Sequence, residues 1–136
     1  MKKVLVFGTF DIFHEGHKNF LRQAKIYGDW LRVVIARDKT VLKVKDLWPL
    51  NNELERKANI ERSALADEVI LGNVRDVYKV IKDYQPDIIC LGYDQVAFID
   101  ELESKLKNFD LKNTVIIQLK PYKPELFKSS KLKKKS

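Results

Sequence analysis

The sequence predicts an α/β domain in which five strands form one parallel, doubly wound sheet with helices on both faces. Three observations carry this. Short β-branched apolar runs recur along the chain, and stretches with the spacing of amphipathic helices alternate with them. Glycine stands at the carboxyl end of three runs, at Gly8, Gly72 and Gly92. A chain of 136 residues, 45% hydrophobic and 33% charged, suffices for one domain with a proper core.

The first strand covers about Val4 to Phe7, and the first helix runs from about Gly16 to Tyr27. Phe20, Leu21, Ala24 and Ile26 form its apolar positions, and Gly28 stops it. The second strand is Leu31 to Ala36. The basic stretch Arg37 to Pro49 is ambiguous, although Pro49 argues against a helix continuing through it. A second helix starts with Asn51 or Asn52 as its cap, carries Glu53 and Glu55 in its first turn and reaches Ala66. Strand three is Glu68 to Leu71, helix three about Val74 to Tyr84, and strand four Ile88 to Leu91. Helix four spans Phe98 to Phe109, and strand five Thr114 to Leu119. Residues 1–127 form the domain, while 128–136 add a short helix from Ser129 or Ser130 and a lysine-rich tail.

Bulk properties exclude several classes. No apolar run approaches the roughly 18 residues that span a bilayer, and Met1-Lys2-Lys3 leads straight into a strand without a signal peptide. The single cysteine, Cys90, sits inside an apolar run and reads as a buried hydrophobe in a reducing, cytoplasmic compartment. The net charge of +7 suggests nucleic acid, but five of those charges lie in the tail, at Lys128, Lys131, Lys133, Lys134 and Lys135. The tail lacks the interleaved aromatics of single-strand binders, so no nucleic-acid partner is expected.

Open parallel sheets bind ligands beyond the carboxyl ends of their strands, at the switch in strand order. Both histidines of the chain, His14 and His17, fall in the loop after the first strand. That loop opens into a helix, whose N-terminus presents N–H groups and partial positive charge suited to phosphate. Two imidazoles there can donate to charge developing on a reacting phosphoryl group. Gly8, Thr9 and Phe10 begin the loop, and Glu15 and Gly16 separate the histidines. Asp11 orients a lysine, serves the acceptor, touches a metal, or is a plain Asx-turn residue. Read as extended, the segment around Lys43 and Lys45 puts both ammonium groups on one side, toward phosphate oxygens. Arg56 lies on the polar side of the second helix, as a phosphate ligand or a solvated residue. Gly92 permits close approach and Asp94 accepts from ribose hydroxyls or a base edge, unless the segment is only a turn. Ser129 and Ser130 cap a helix and could equally meet phosphate. Neither G-x-G-x-x-G nor G-x-x-x-x-G-K-[ST] is present, which disfavours dinucleotide dehydrogenases and P-loop enzymes.

Gly8-Thr9-Phe10-Asp11-x-x-His14-x-Gly16-His17 resembles the signature of the cytidylyltransferase-like nucleotidyltransferases. The resemblance covers nearly the whole chain and implies a Rossmann-like sheet and a homodimer. Two branches compete. Ala36-Arg37-Asp38-x-Thr40-Val41 and Pro86-Asp87-Ile88-Ile89-x-Leu91-Gly92-x-Asp94-Gln95 are similar to archaeal-type FAD synthetases, which also suggests Tyr122 near the nucleotide. The other branch is glycerol-3-phosphate cytidylyltransferase. Either implies that an acceptor phosphate attacks the α-phosphorus of ATP or CTP, with Mg2+ as companion of the triphosphate, and that pyrophosphate leaves. The resemblance gives His14 and His17 the α- and β-phosphates, and Lys43, Lys45 and Arg56 the neutralising charge. A non-catalytic nucleotide sensor on the same fold is the alternative from another class. Deleting Lys131 to Ser136 is expected to leave turnover within about a few-fold, because a solvated basic tail adds mainly long-range, screened charge. A steady-state assay of the truncated chain checks this.

Overall fold

The computed structural model describes residues 1–92 and 95–121, with the backbone alone at 96–100. Its elements run β1 (Lys3–Gly8), α1 (Glu15–Ile26), β2 (Trp30–Ile35), α2 (Asp38–Lys45), α3 (Glu53–Ser63), β3 (Glu68–Leu71), α4 (Lys79–Tyr84), β4 (Ile88–Leu91), α5 (Val96–Asn108) and β5 (Val115–Gln118). The strands form one sheet in the order β3-β2-β1-β4-β5, and every pairing is parallel. The fold is the expected doubly wound, Rossmann-like α/β sheet.

Alternation along β1 divides the interior in two. Val4 and Val6 face one core with Leu21 and Ala24 of α1 and Ile60 of α3. Leu5 faces the other with Ile81 and Tyr84 of α4 and Leu102 and Leu106 of α5. Central strands covered on both sides must be apolar throughout, and β4 is buried at all four positions. Cys90 lies there as a free thiol, and burial pushes its pKa up to about 12. The order reverses between β1 and β4, so the crevice at their carboxyl ends is where a ligand belongs.

Three expectations about elements need correction. The segment after β2 is not extended but the helix α2, with Asp38 in its first turn and Lys43 and Lys45 in its last. Charge at both ends suits the helix dipole, and the Glu53 carboxylate accepts from Asp38 N at 2.9 Å across the start. Helix α4 begins at Lys79 instead of Val74. Asn73 Oδ1 accepts from Arg75 N and Asp76 N, and Asp76 Oδ1 from Tyr78 N, so local side-chain bonds hold a turn. Helix α3 stops at Ser63, three residues early, where Ala64 turns left-handed with φ 58°. Pro49 does separate two helices, and Asn52 caps α3 by accepting from Glu55 N at 2.9 Å. The proposed final helix and tail, and the boundary at residue 127, lie outside the described residues.

The largest departure is Arg56, which is not on a solvated face. It is 0% exposed, the one charged side chain fully buried among the described residues. Its Nη2 donates to Asp38 Oδ1 at 2.7 Å, Nη1 to the Thr9 carbonyl at 2.9 Å and Nε to the Asn51 carbonyl at 3.0 Å. Removing such a cation leaves a carboxylate and two carbonyls unmet. Arg56→Met is therefore expected to lower the unfolding free energy by about 3–5 kcal/mol, with part recovered by adding Asp38→Asn. Urea denaturation of the two variants tests it.

Candidate active site

The loop from Gly8 to His14 joins β1 to α1 at the switch in strand order. Its shape rests on Phe10, which takes a left-handed backbone (φ 52°) yet is 5% exposed. That conformation costs a non-glycine residue roughly 1–2 kcal/mol, which burial of an aromatic ring offsets. The ring lies over Gly8, where an added Cβ would stand 2.4 Å from Phe10 Cε2. It also meets His17 edge-on, with centroids 5.2 Å apart.

The helix start is built from the two histidines. His14 is the N-cap of α1, and its Nδ1 accepts from Gly16 N at 3.0 Å. His17, three residues on, accepts at Nδ1 from His14 N at 3.4 Å, closing a reciprocal capping box. The two rings stack at 3.9 Å between centroids and 22° between planes, and Phe13 also stacks with His17, at 6.0 Å between centroids. Because each Nδ1 accepts a backbone N–H, each neutral ring carries its proton on Nε2.

Burial lowers the His14 pKa. It lowers that of His17 to about 4, with smaller contributions in the same direction from the charges of His14 and Lys45 and one against it from a hydrogen bond to the backbone of Ile12. The resting pair is therefore neutral at pH 7, with two Nε2–H donors at the positive end of a helix. Neutral imidazole N–H groups are chemically suited to donate to phosphate oxygens.

The neighbouring contacts hold the loop in place. Both oxygens of Asp11 accept backbone N–H groups, from Leu50 and Asn51 at 2.8 Å each, and Asn51 Nδ2 donates to the Asp11 carbonyl. In this structure Asp11 thus anchors the chain entering α3. Arg56 holds the Thr9 carbonyl from below, so its guanidinium fixes the loop from inside. Lys45 lies close enough to His17 to act on its titration. Lys43 instead lines a cleft with Tyr78, Glu101 and Lys105, since residues two apart on a helix point to different sides. Gly92 lies at the end of β4, where its N donates to Gln95 Oε1 at 2.7 Å, while Gln95 Nε2 reaches the Phe7 carbonyl at 3.4 Å. Gln95 therefore ties the two strand ends that flank the crevice. Glu15 is exposed and pairs with Lys18 at 3.3 Å. Asp94, Tyr122, Ser129 and Ser130 lie outside the described residues.

Gln95, Asn51 and Glu53 escaped sequence reading as contributors. Glu53 binds Arg37 at 2.9 Å besides covering the start of α2. The only signal for any of them was a polar residue beside a glycine turn or a helix cap, which is common everywhere on protein surfaces.

The depressed His17 pKa has a consequence for stability. Between about pH 6.5 and pH 4 the unfolded chain binds the proton that folded His17 refuses. The contribution is fully present above pH 6.5 and is lost as pH falls toward 4, reaching at most about 3 kcal/mol. Denaturation of wild type and His17→Asn across this window checks it, and the variant is expected to show the flatter profile.

The chain is similar to known proteins over most of its length. Residues 5–135 match the cytidylyltransferase-like family model. The chain is 42% identical to an FAD synthase of Aciduliprofundum boonei over 122 residues, covering 90% of this chain and 80% of that one. It is 40% identical to an FAD synthase of Methanohalophilus mahii, with coverage of 99% and 94%. Among solved structures, a protein of Thermoplasma volcanium described as a lipopolysaccharide core biosynthesis protein superposes with a TM-score of 0.82 at 37% identity, over 90% of this chain and 98% of that one. With the histidine loop at the switch point of its sheet, this chain belongs to the cytidylyltransferase-like family and is a nucleotidyltransferase.

Proposed function

We propose that the protein is an FMN adenylyltransferase that makes FAD from ATP and FMN. One observation carries the chemical part of this reading: two stacked imidazoles, held neutral by burial, stand at the N-terminus of α1 with each Nδ1 accepting a backbone N–H. Its likeness to FAD synthases of several archaea supports the choice of ATP and FMN.

A phosphate oxygen of FMN attacks the α-phosphorus of ATP in line. A new P–O–P link forms as the bond from the α-phosphorus to the bridging oxygen breaks, and pyrophosphate leaves with the electron pair. The protein contributes position and charge instead of a covalent intermediate. His14 and His17 donate from Nε2 to α- and β-phosphate oxygens, where charge grows as the bridge breaks. Backbone of Thr9 and Phe10, shaped by Gly8 and Gly16, cradles the triphosphate, and Glu15 flanks it. Lys45 neutralises charge beside His17, and Lys43 draws anions to the rim. Gly92 with Asp94, and Tyr122, Ser129 and Ser130, complete the nucleoside and phosphate contacts in this proposal. Arg56 and Asp11 serve the acceptor indirectly by holding the loop.

Mg2+ belongs to the reaction as the companion of ATP. The described residues contain no group of three carboxylate, histidine or cysteine ligands, and both Asp11 oxygens already accept N–H bonds. The coordination proposed for the ion is therefore triphosphate oxygens and water. No helix among the described residues is long and apolar enough to cross a membrane. The reading includes a cytoplasmic homodimer, in keeping with a buried free thiol at Cys90 and with likeness to the family.

The test is pyrophosphate release with ATP or CTP against FMN, glycerol 3-phosphate and phosphocholine. ATP with FMN is expected to give product. Nucleotide binding with no pyrophosphate from any acceptor would leave a sensor instead of an enzyme. His17→Ala is expected to cost about 100- to 1,000-fold in kcat, the loss typical of an oxyanion donor.

A further inference from the structure

Between α2 and α3 the chain runs as a strap, 46–52, bonded to the histidine loop near its far end. At one end Lys45 acts electrostatically on His17. At the other, Leu50 N and Asn51 N donate to the Asp11 carboxylate at 2.8 Å each. The strap leaves α2 through Asp46, whose backbone is left-handed (φ 57°), and so turns away from the helix axis.

Its side chains are unusual for an exposed segment. Leu47 is 64% exposed, Trp48 56% and Leu50 80%, and Ile12, next in sequence to the Asp11 that bonds the strap, is 49% exposed. None belongs to either core. Large apolar side chains gathered in water at one place mark a binding surface.

We propose that this strap is the docking face for the flat ring system of the acceptor, with Trp48 as the stacking partner. The inference rests on the FMN reading above. Polarity along the strap selects the occupant: a cation, Lys45, precedes it, and beyond Asp46 the run Leu47-Trp48-Pro49-Leu50 is apolar before Asn51 and Asn52. That order complements a molecule with a phosphate at one end and an aromatic ring at the other. Length agrees, because Trp48 is three residues from Lys45 and so at most about 11 Å from it along the backbone. This is comparable with the polyol arm between a flavin ring and its phosphate.

The chain has two tryptophans, and Trp30 begins β2 at the opposite end of the strands, bonded to Glu68 at 3.2 Å. Trp30→Phe therefore leaves Trp48 as the sole indole. Binding FMN to that variant without ATP is expected to quench flavin emission, and adding Trp48→Ala to abolish the quench. Trp48→Ala alone is expected to raise KM for FMN about tenfold or more, as loss of a ring stack does. KM for ATP should stay within about twofold, and Trp48→Phe should restore KM for FMN to within about threefold. Turnover of FMN with an unchanged KM in Trp48→Ala overturns the strap proposal while the FMN reading stands. So does an equal rise in KM for ATP, or a wild-type dimer that Trp48→Ala dissociates in sedimentation. Wild-type turnover of CTP with glycerol 3-phosphate and none of FMN overturns both.

Discussion

The Arg56 guanidinium enters the interior with no exposed surface and meets three oxygens there, those of Asp38, Thr9 and Asn51. Burying a charge is costly unless partners match it, so this arrangement is held only while all three stay in place. The three partners belong to the start of α2, the histidine loop and the entry to α3. One side chain therefore holds the segments that frame the site in register. Glu53 adds a second link, from α3 to Arg37 and to the first N–H of α2.

What the clamp maintains is a loop unable to relax into an ordinary turn. Phe10 stays left-handed with its ring over Gly8 and against His17, and the Thr9 carbonyl points inward to Arg56. The histidines then use their Nδ1 atoms on backbone N–H groups and stack on each other. Partial burial, and for His17 the neighbouring charge of His14, favour neutral rings, which makes them donors rather than fixed cations. For a reaction in which charge moves from one phosphate oxygen to another, donors that wait without counterions cost little to reorganise.

The same lysine-rich helix does two things. Helix α2 sends Lys45 toward His17 and Lys43 toward a cleft with Tyr78 and Glu101. In an extended segment alternate residues share a face, which would make the two lysines a pair. The helical period separates them by more than half a turn.

The strand pattern, the parallel sheet and the position of both histidines at the first strand–helix junction were legible in the sequence, because these depend on periodicity and on neighbours within a few residues. His14 and His17 share a helix start by their spacing alone. Tertiary structure decided that Arg56 is buried, since its partners Thr9 and Asp38 lie 47 and 18 residues away. It also decided the neutrality of the histidines, the anchoring of Asp11 and the tie that Gln95 makes between β4 and β1. Local sequence sets which residues a segment offers. Whether a charge ends up solvated or buried depends on what distant segments bring against it.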